Sequence, residues 1–216
     1  MLDKFTPVDP KEAYSSLVGG SVKMFLYQDG RWWRPEYFRH LLNQKSEGLN
    51  FLHVFPGSFN PIHQGHIEIF SKIDDKSFPC MKTFELSIRR IGKEDLSLEA
   101  LETRLRDVSQ YGKVLITNCC RFVEKCAALR GAEVKWHVGI DTIDRMANDY
   151  GIFGIQGLPG QFVVYDRELD GNVFSYPPKS WAVQEPCFPE NVSRAENQGS
   201  PEILGMSSTK IRQKSQ

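Results

Sequence analysis

His63 and His66 stand three residues apart at the close of the segment Gly57-Ser58-Phe59-Asn60-Pro61-Ile62-His63-Gln64-Gly65-His66. Two imidazoles on one side of a helix start can donate N–H groups to a phosphorus whose oxygens gain charge during displacement. Each such donor is worth roughly 3–4 kcal/mol if it behaves as other preorganised oxyanion donors do. Gly57 lets the backbone turn sharply and approach a ligand closely, and Ser58 and Phe59 then offer backbone N–H groups. Asn60-Pro61 favours an extended turn, because the residue before proline avoids the helical region. Gly65 keeps the surface between the two rings open, and a helix N-terminus adds fixed positive potential suited to phosphates. This is the equipment of phosphoryl or nucleotidyl transfer, where positioning and electrostatics do most of the work. On the residues alone three readings stay open: a phosphate site, a zinc site completed by distant ligands such as His53 or His137, and a purely structural turn.

A second cluster lies near the other end, in Met206-Ser207-Ser208-Thr209-Lys210-Ile211-Arg212. Three hydroxyls followed by two cations can cap a helix and grip a triphosphate, with Lys210 as a point charge and Arg212 as a planar fork. By itself the cluster reads equally as a capped terminal helix. Between the two clusters, Val138-Gly139-Ile140-Asp141-Thr142 puts a carboxylate at a strand end. There it can accept from ribose hydroxyls or cap the helix that follows.

The elements that must position these residues alternate from residue 51 onward. Phe51 to Phe55 is an apolar strand, and His66 to Ile73 a helix with Ile69, Phe70 and Ile73 on one face. Thr83 to Ile88 alternates as a second strand. Ser97 is a fitting N-cap for a helix striped by Leu98, Leu101, Leu105 and Val108. Val114 to Thr117, Val134 to Val138 and Phe162 to Tyr165 read as further strands, with helices over Phe122 to Leu129 and Thr142 to Asn148. The alternation predicts an α/β chain: a Rossmann-like, doubly wound parallel sheet with helices on both faces. Ligands in such sheets sit beyond the carboxyl ends of the strands, where Gly57 to His66 and Thr117-Asn118 fall.

Residues 1–50 do not share this pattern and read as an N-terminal extension of unknown role before a domain over 51–216. Within them Val22 to Tyr27 reads as a strand, Asp29-Gly30 as a turn and Pro35 to Leu42 as a short helix. Arg31-Trp32-Trp33-Arg34 reads either as a packing element or as a stacking surface. Residues 176–201, with Pro177, Pro178, Pro186, Pro189 and Pro201, read as a long irregular loop, and Ile203-Leu204 as a short last strand.

Composition narrows the setting. Twenty-seven basic residues balance twenty-seven acidic ones among 216, so nothing in the charge asks for nucleic acid or an anionic membrane. The five cysteines form no C-x-x-C pair and are odd in number, which points to a reducing cytoplasm rather than a disulfide framework. No apolar run reaches membrane-spanning length, and Met1-Leu2-Asp3-Lys4-Phe5 has no signal-peptide pattern. The oligomeric state is not set by the sequence.

Gly57 to His66 closely resembles the G-x-F-x-P-x-H-x-G-H signature of the nucleotidyltransferase superfamily. Met206 to Arg212 resembles the I-S-S-T-x-I-R signature of its nicotinamide and nicotinate mononucleotide adenylyltransferases, with Met206 in place of the isoleucine. The closing motif R-T-x-G-I-S-T-S of the cytidylyltransferases is absent, so the resemblance favours ATP over CTP. It implies a Rossmann-like fold in which His63, His66 and Arg212 serve catalysis. Gly57, Ser58, Phe59, Gly65, Ser207, Ser208 and Thr209 would hold ATP, and Gly139 and Asp141 would bind its adenosine part. Mg²⁺ is expected to bridge the phosphates. Lys93, after the second strand, and Arg167, after the fifth, match cations that serve substrate binding in relatives. Loop solvation of Lys93 and pairing of Arg167 with Asp166 or Glu168 are the alternatives.

The implied partners are a nucleotide and a phosphorylated acceptor. The implied reaction moves AMP from ATP to that acceptor, with a pyridine mononucleotide of NAD biosynthesis leading. The relatives keep a ring-holding tryptophan soon after the G-x-D aspartate. Here the stretch reads Asp149-Tyr150-Gly151-Ile152, so Tyr150, or Trp181 from the long loop, is the candidate in its place. Four residues follow Arg212, which predicts a less firmly held arginine than in relatives with a longer terminal helix. Two alternatives accompany this reading: a nucleotide-binding protein with little turnover, and an adenylyltransferase for another acceptor such as phosphopantetheine or a sugar phosphate.

Overall fold

In the computed structural model the described residues are 5–44, 51–73, 80–169, 172–174, 177–178 and 189–195. Six parallel strands carry the architecture: β3 (Phe51–Pro56), β4 (Met81–Ser87), β5 (Lys113–Thr117), β6 (Glu133–Gly139), β7 (Gln161–Tyr165) and β10 (Val192–Arg194). They lie in the order β5-β4-β3-β6-β7-β10. The chain therefore winds one way from β3 through β5, returns to the middle at β6, and winds the other way. This is the doubly wound arrangement expected of the alternation, and its switch point lies between β3 and β6.

Residues 24–33 complete the same sheet. β1 (Met24–Gln28) pairs antiparallel with β5, and β2 (Arg31–Trp33) pairs antiparallel with β1. Asp29 and Gly30 join them with positive φ at both positions (53° and 74°), the geometry that suits the right-handed twist of a two-residue hairpin. Trp32 is buried against Phe25 and Tyr27, and Trp33 stacks on Tyr37 at 4.3 Å. The Arg31 to Arg34 segment is thus a packing element. Asn118, at the end of β5, donates to the carbonyls of Leu17 and Val22 and ties this segment to the sheet.

Period-two alternation splits the strands between two cores. Leu52, Val54, Leu115, Trp136, Val138, Phe162 and Val164 face one side. They are covered by α2 (Pro35–Gln44), α5 (Phe122–Ala128), α6 (Ile140–Tyr150) and α7 (Ile152–Gln156). Phe25, Phe55, Phe84, Leu86, Val114 and Ile116 face the other, under α1 (Pro10–Val18), α3 (Gln64–Lys72) and α4 (Leu98–Val108). Ser97 caps α4 as its sequence predicts, accepting from the Ala100 amide. Within the stretch read as a long loop, residues 192–194 pair with β7 as the edge strand β10. A short strand of three residues between prolines carries too little periodicity to be seen in sequence. A small hairpin, β8 (Arg167–Leu169) and β9 (Asn172–Phe174), stands apart from the sheet. Among the described residues no helix is long and apolar enough to cross a membrane.

Candidate active site

The segment from Gly57 to His66 runs from the carboxyl end of β3 into α3, and Gly139 ends the neighbouring strand β6. Both therefore flank the switch point, the place where an open α/β sheet leaves a crevice for a ligand.

The first turn is anchored on several sides. The Gly57 amide donates to the Glu85 carbonyl of β4 at 3.0 Å. The Ser58 carbonyl accepts from Arg104 Nη1 of α4 at 2.9 Å, and Arg104 is only 8% exposed. Phe59 is buried, with its ring edge-on to Phe84 at 5.1 Å and to His66 at 5.0 Å. A Cβ on Gly57 would lie 2.6 Å from the Phe59 ring, so the glycine makes room for that ring as well as for any ligand. Phe59 itself has φ of 40°, a left-handed conformation held by this packing, and the Asn60–Pro61 bond is cis.

His63 is the N-cap of α3 in extended backbone (φ −140°), and its amide donates to Nδ1 of His66 at 3.3 Å. An Nδ1 that accepts leaves the proton of the neutral ring on Nε2, so His66 presents an N–H donor from its far nitrogen. The two rings stack at 3.7 Å. His63 is nearly buried, His66 is half-buried, and Gly65 is buried within the helix rather than opening the surface between them. The arrangement can aim one imidazole N–H and a helix N-terminus at a bound phosphate.

At the second turn α6 begins at Ile140 with Gly139 as its N-cap, two residues earlier than the sequence suggests. Asp141 therefore sits exposed in the first turn instead of capping. A Cβ on Gly139 would fall 2.7 Å from Asp141 Oδ1, so the carboxylate folds back over the glycine. Lys93 is exposed in the turn after β4. Arg167 opens β8, and Asp166 beside it is buried and receives Arg194 Nε at 3.0 Å. Tyr150 ends α6 half-buried against the core. Burial raises its phenol above the ordinary value, opposed by hydrogen bonds from the backbone of Phe122 and Val123 at the start of α5. Trp181, Ser207, Ser208, Thr209 and Arg212, and the expected strand at Ile203-Leu204, lie outside the described residues.

Two buried polar groups close the picture. Glu85 is bound by Lys125 Nζ and Thr117 Oγ1, each at 2.5 Å. His53 Nδ1 meets His137 Nε2 at 2.8 Å, and His137 Nδ1 meets the Tyr165 hydroxyl at 2.9 Å. Burial, with His53 and Lys135 nearby, brings His137 down to about 3, and burial pushes the Tyr165 phenol up. The distant histidines of a zinc reading thus bind each other, and no metal-type cluster of three His, Cys, Asp or Glu gathers among the described residues. Cys119, at the ligand edge beyond β5, is pushed up to about 11, chiefly by burial, and is a thiol rather than a nucleophile at neutral pH.

Arg104 and Glu85 carry no motif, and sequence reading passes them over. Position 104 does carry a signal, since it falls on the buried face of α4 with Leu101, Leu105 and Val108. A cation at a core position needs a partner inside.

No family model matches the sequence, and no curated protein matches it. Among solved structures, the chain is similar to the Plasmodium falciparum nicotinic acid mononucleotide adenylyltransferase complexed with NaAD, at 14% identity and a TM-score of 0.50, over 76% of this chain and 82% of that one. The same enzyme complexed with APC gives 13% identity and a TM-score of 0.48 over the same shares. At such identity the likeness is one of fold.

Proposed function

We propose that this chain is an ATP-dependent adenylyltransferase. A phosphate oxygen of the acceptor attacks the α-phosphorus of ATP in line. The new P–O bond forms as the bond to the bridging oxygen breaks, and pyrophosphate leaves with that electron pair. A phosphate nucleophile is already anionic at neutral pH, so the step needs no general base. His66, with its proton on Nε2, and His63 beside it stabilise the charge gathering on the α-phosphate. Gly57, Ser58 and Phe59 form the cradle, Gly65 packs inside the helix beneath it, and Asp141 beside Gly139 binds the ribose. Ser207, Ser208, Thr209 and Arg212 hold the β- and γ-phosphates, an assignment that rests on the resemblance of their motif. The triphosphate oxygens would hold Mg²⁺, which would neutralise part of their charge.

The observation that carries this reading is the pinned His63–His66 pair at the start of α3, beside the switch point of the sheet. The fold likeness to an enzyme named for nicotinic acid mononucleotide supports a pyridine mononucleotide as first acceptor and a place in NAD biosynthesis.

The test is pyrophosphate release with ATP, Mg²⁺ and a panel of nicotinate and nicotinamide mononucleotides, phosphopantetheine and a sugar phosphate. Turnover with a mononucleotide is expected. Turnover only with another member changes the acceptor, binding of ATP without release from any of them removes the transferase, and absence of ATP binding removes the site.

A further inference from the structure

The geometry points to Arg104 as a positioning residue of this site: through the Ser58 carbonyl it aims and strengthens the Phe59 N–H as a donor to the nucleotide phosphate. The inference rests on the reading just given and adds a residue to it.

Arg104 stands on the core face of α4, between Leu101 and Leu105, and is 8% exposed. A cation at that depth is costly unless it meets a polar group there. Its Nη1 lies 2.9 Å from the Ser58 carbonyl oxygen, on the peptide that joins Ser58 to Phe59. The cis bond of this turn is at Asn60–Pro61, so the Ser58–Phe59 peptide is trans. In a trans peptide the C=O and N–H point in opposite directions. Drawing the carbonyl toward α4 therefore turns the Phe59 N–H away from α4 and away from the core that α4 helps to form. Among the described residues this N–H has no hydrogen-bond acceptor.

The rest of the turn keeps the peptide from rotating. The Gly57 amide is held by Glu85 O, and the Phe59 ring is wedged against Gly57 and Phe84. A guanidinium on the carbonyl also polarises the peptide, and a polarised peptide is a better donor at its other end. Arg104 thus brings its charge to the phosphate through one peptide unit without touching it.

The experiment uses the full chain, ¹⁵N-labelled, as wild type and as Arg104→Lys, Arg104→Gln and Arg104→Met. It reads the Phe59 amide resonance before and during titration with Mg-ATP, together with thermal unfolding. The neutral variants are expected to move the Phe59 resonance in the ligand-free protein and to weaken Mg-ATP by about tenfold, the size of one charge-assisted hydrogen bond. Lys, which keeps the charge, is expected to stay within about threefold. In turnover the ATP KM rises while the acceptor KM holds. A folded Gln or Met variant that binds Mg-ATP within twofold of wild type overturns the inference. Equal losses in Lys and Gln also overturn it, since they mark a role in packing alone. If wild type binds no ATP, the functional reading falls by itself. A Phe59 resonance unmoved by Arg104→Gln strikes only the positioning role.

Discussion

Gly57 follows β3 and Gly139 ends β6, two adjacent parallel strands in the middle of the sheet, and each leads the chain toward a helix, yet their surroundings differ. A methyl group on Gly57 would meet the buried Phe59 ring at 2.6 Å. On Gly139 it would meet the tip of an exposed carboxylate at 2.7 Å. A ring packed among Phe55, Phe84 and His66 has nowhere to go, while a carboxylate on solvent turns aside at little cost. The first turn is thus built as part of the core, and the second as an adaptable rim. Under the proposed function, such a site would keep the reacting phosphate rigidly placed and leave the adenosine end to adjust.

The sharpest way to break that contrast is at the rigid turn. His66→Ala should lower pyrophosphate release by about 10²–10³-fold, as loss of an oxyanion donor does, with the chain still folded. A drop below tenfold would mean that the pinned ring is not where charge develops. Next in size, Gly57→Ala should destabilise the fold by about 2–3 kcal/mol in denaturant unfolding, because overpacking forces a buried ring to move. Unchanged stability would show that the turn is looser than its contacts imply.

The third prediction concerns the strands beneath both turns, which His53 and His137 tie together. His137 is held neutral down to about 3, against about 6.5 when unfolded, so the unfolded chain binds more protons between those values. Stability is complete above about pH 6.5 and falls as pH drops, by about 2 kcal/mol at pH 5. Thermal unfolding across pH 8 to 5 measures this, and His137→Gln should flatten the profile. The smallest effect belongs to the rim: Gly139→Ala should cost under about 0.5 kcal/mol of stability and weaken ATP by roughly threefold, since only an exposed side chain must shift. A cost as large as that of Gly57→Ala would erase the distinction between the turns.

The strand–helix alternation from β3 to β7 could be read from the sequence because each element is long enough to show its period, as in Phe84, Leu86 and Ile88, or Leu101, Leu105 and Val108. The N-terminal hairpin could be seen as a strand and a turn, but its partner could not. Pairing of β1 with β5 joins residues nearly a hundred positions apart, and nothing local encodes it. α1 went unread although Asp9-Pro10 carries its local signal, a cap followed by proline at the first helical position, with Asp9 accepting from Lys11 and Glu12. At the candidate site the residue types of the first turn were plain, whereas the reasons for them were tertiary. Gly57 answers to a ring two residues on, and Ser58 to an arginine forty-six residues away.

The sheet stops at β2, a strand of three residues whose outer Trp32 carbonyl is taken by the Val8 amide at 2.8 Å. A passing extended chain meets a single occupied bridge there instead of a row of vacant amide and carbonyl groups. Strand-by-strand polymerisation has no template on that flank, so the two antiparallel strands act as a terminator for a parallel sheet that would otherwise end on β5.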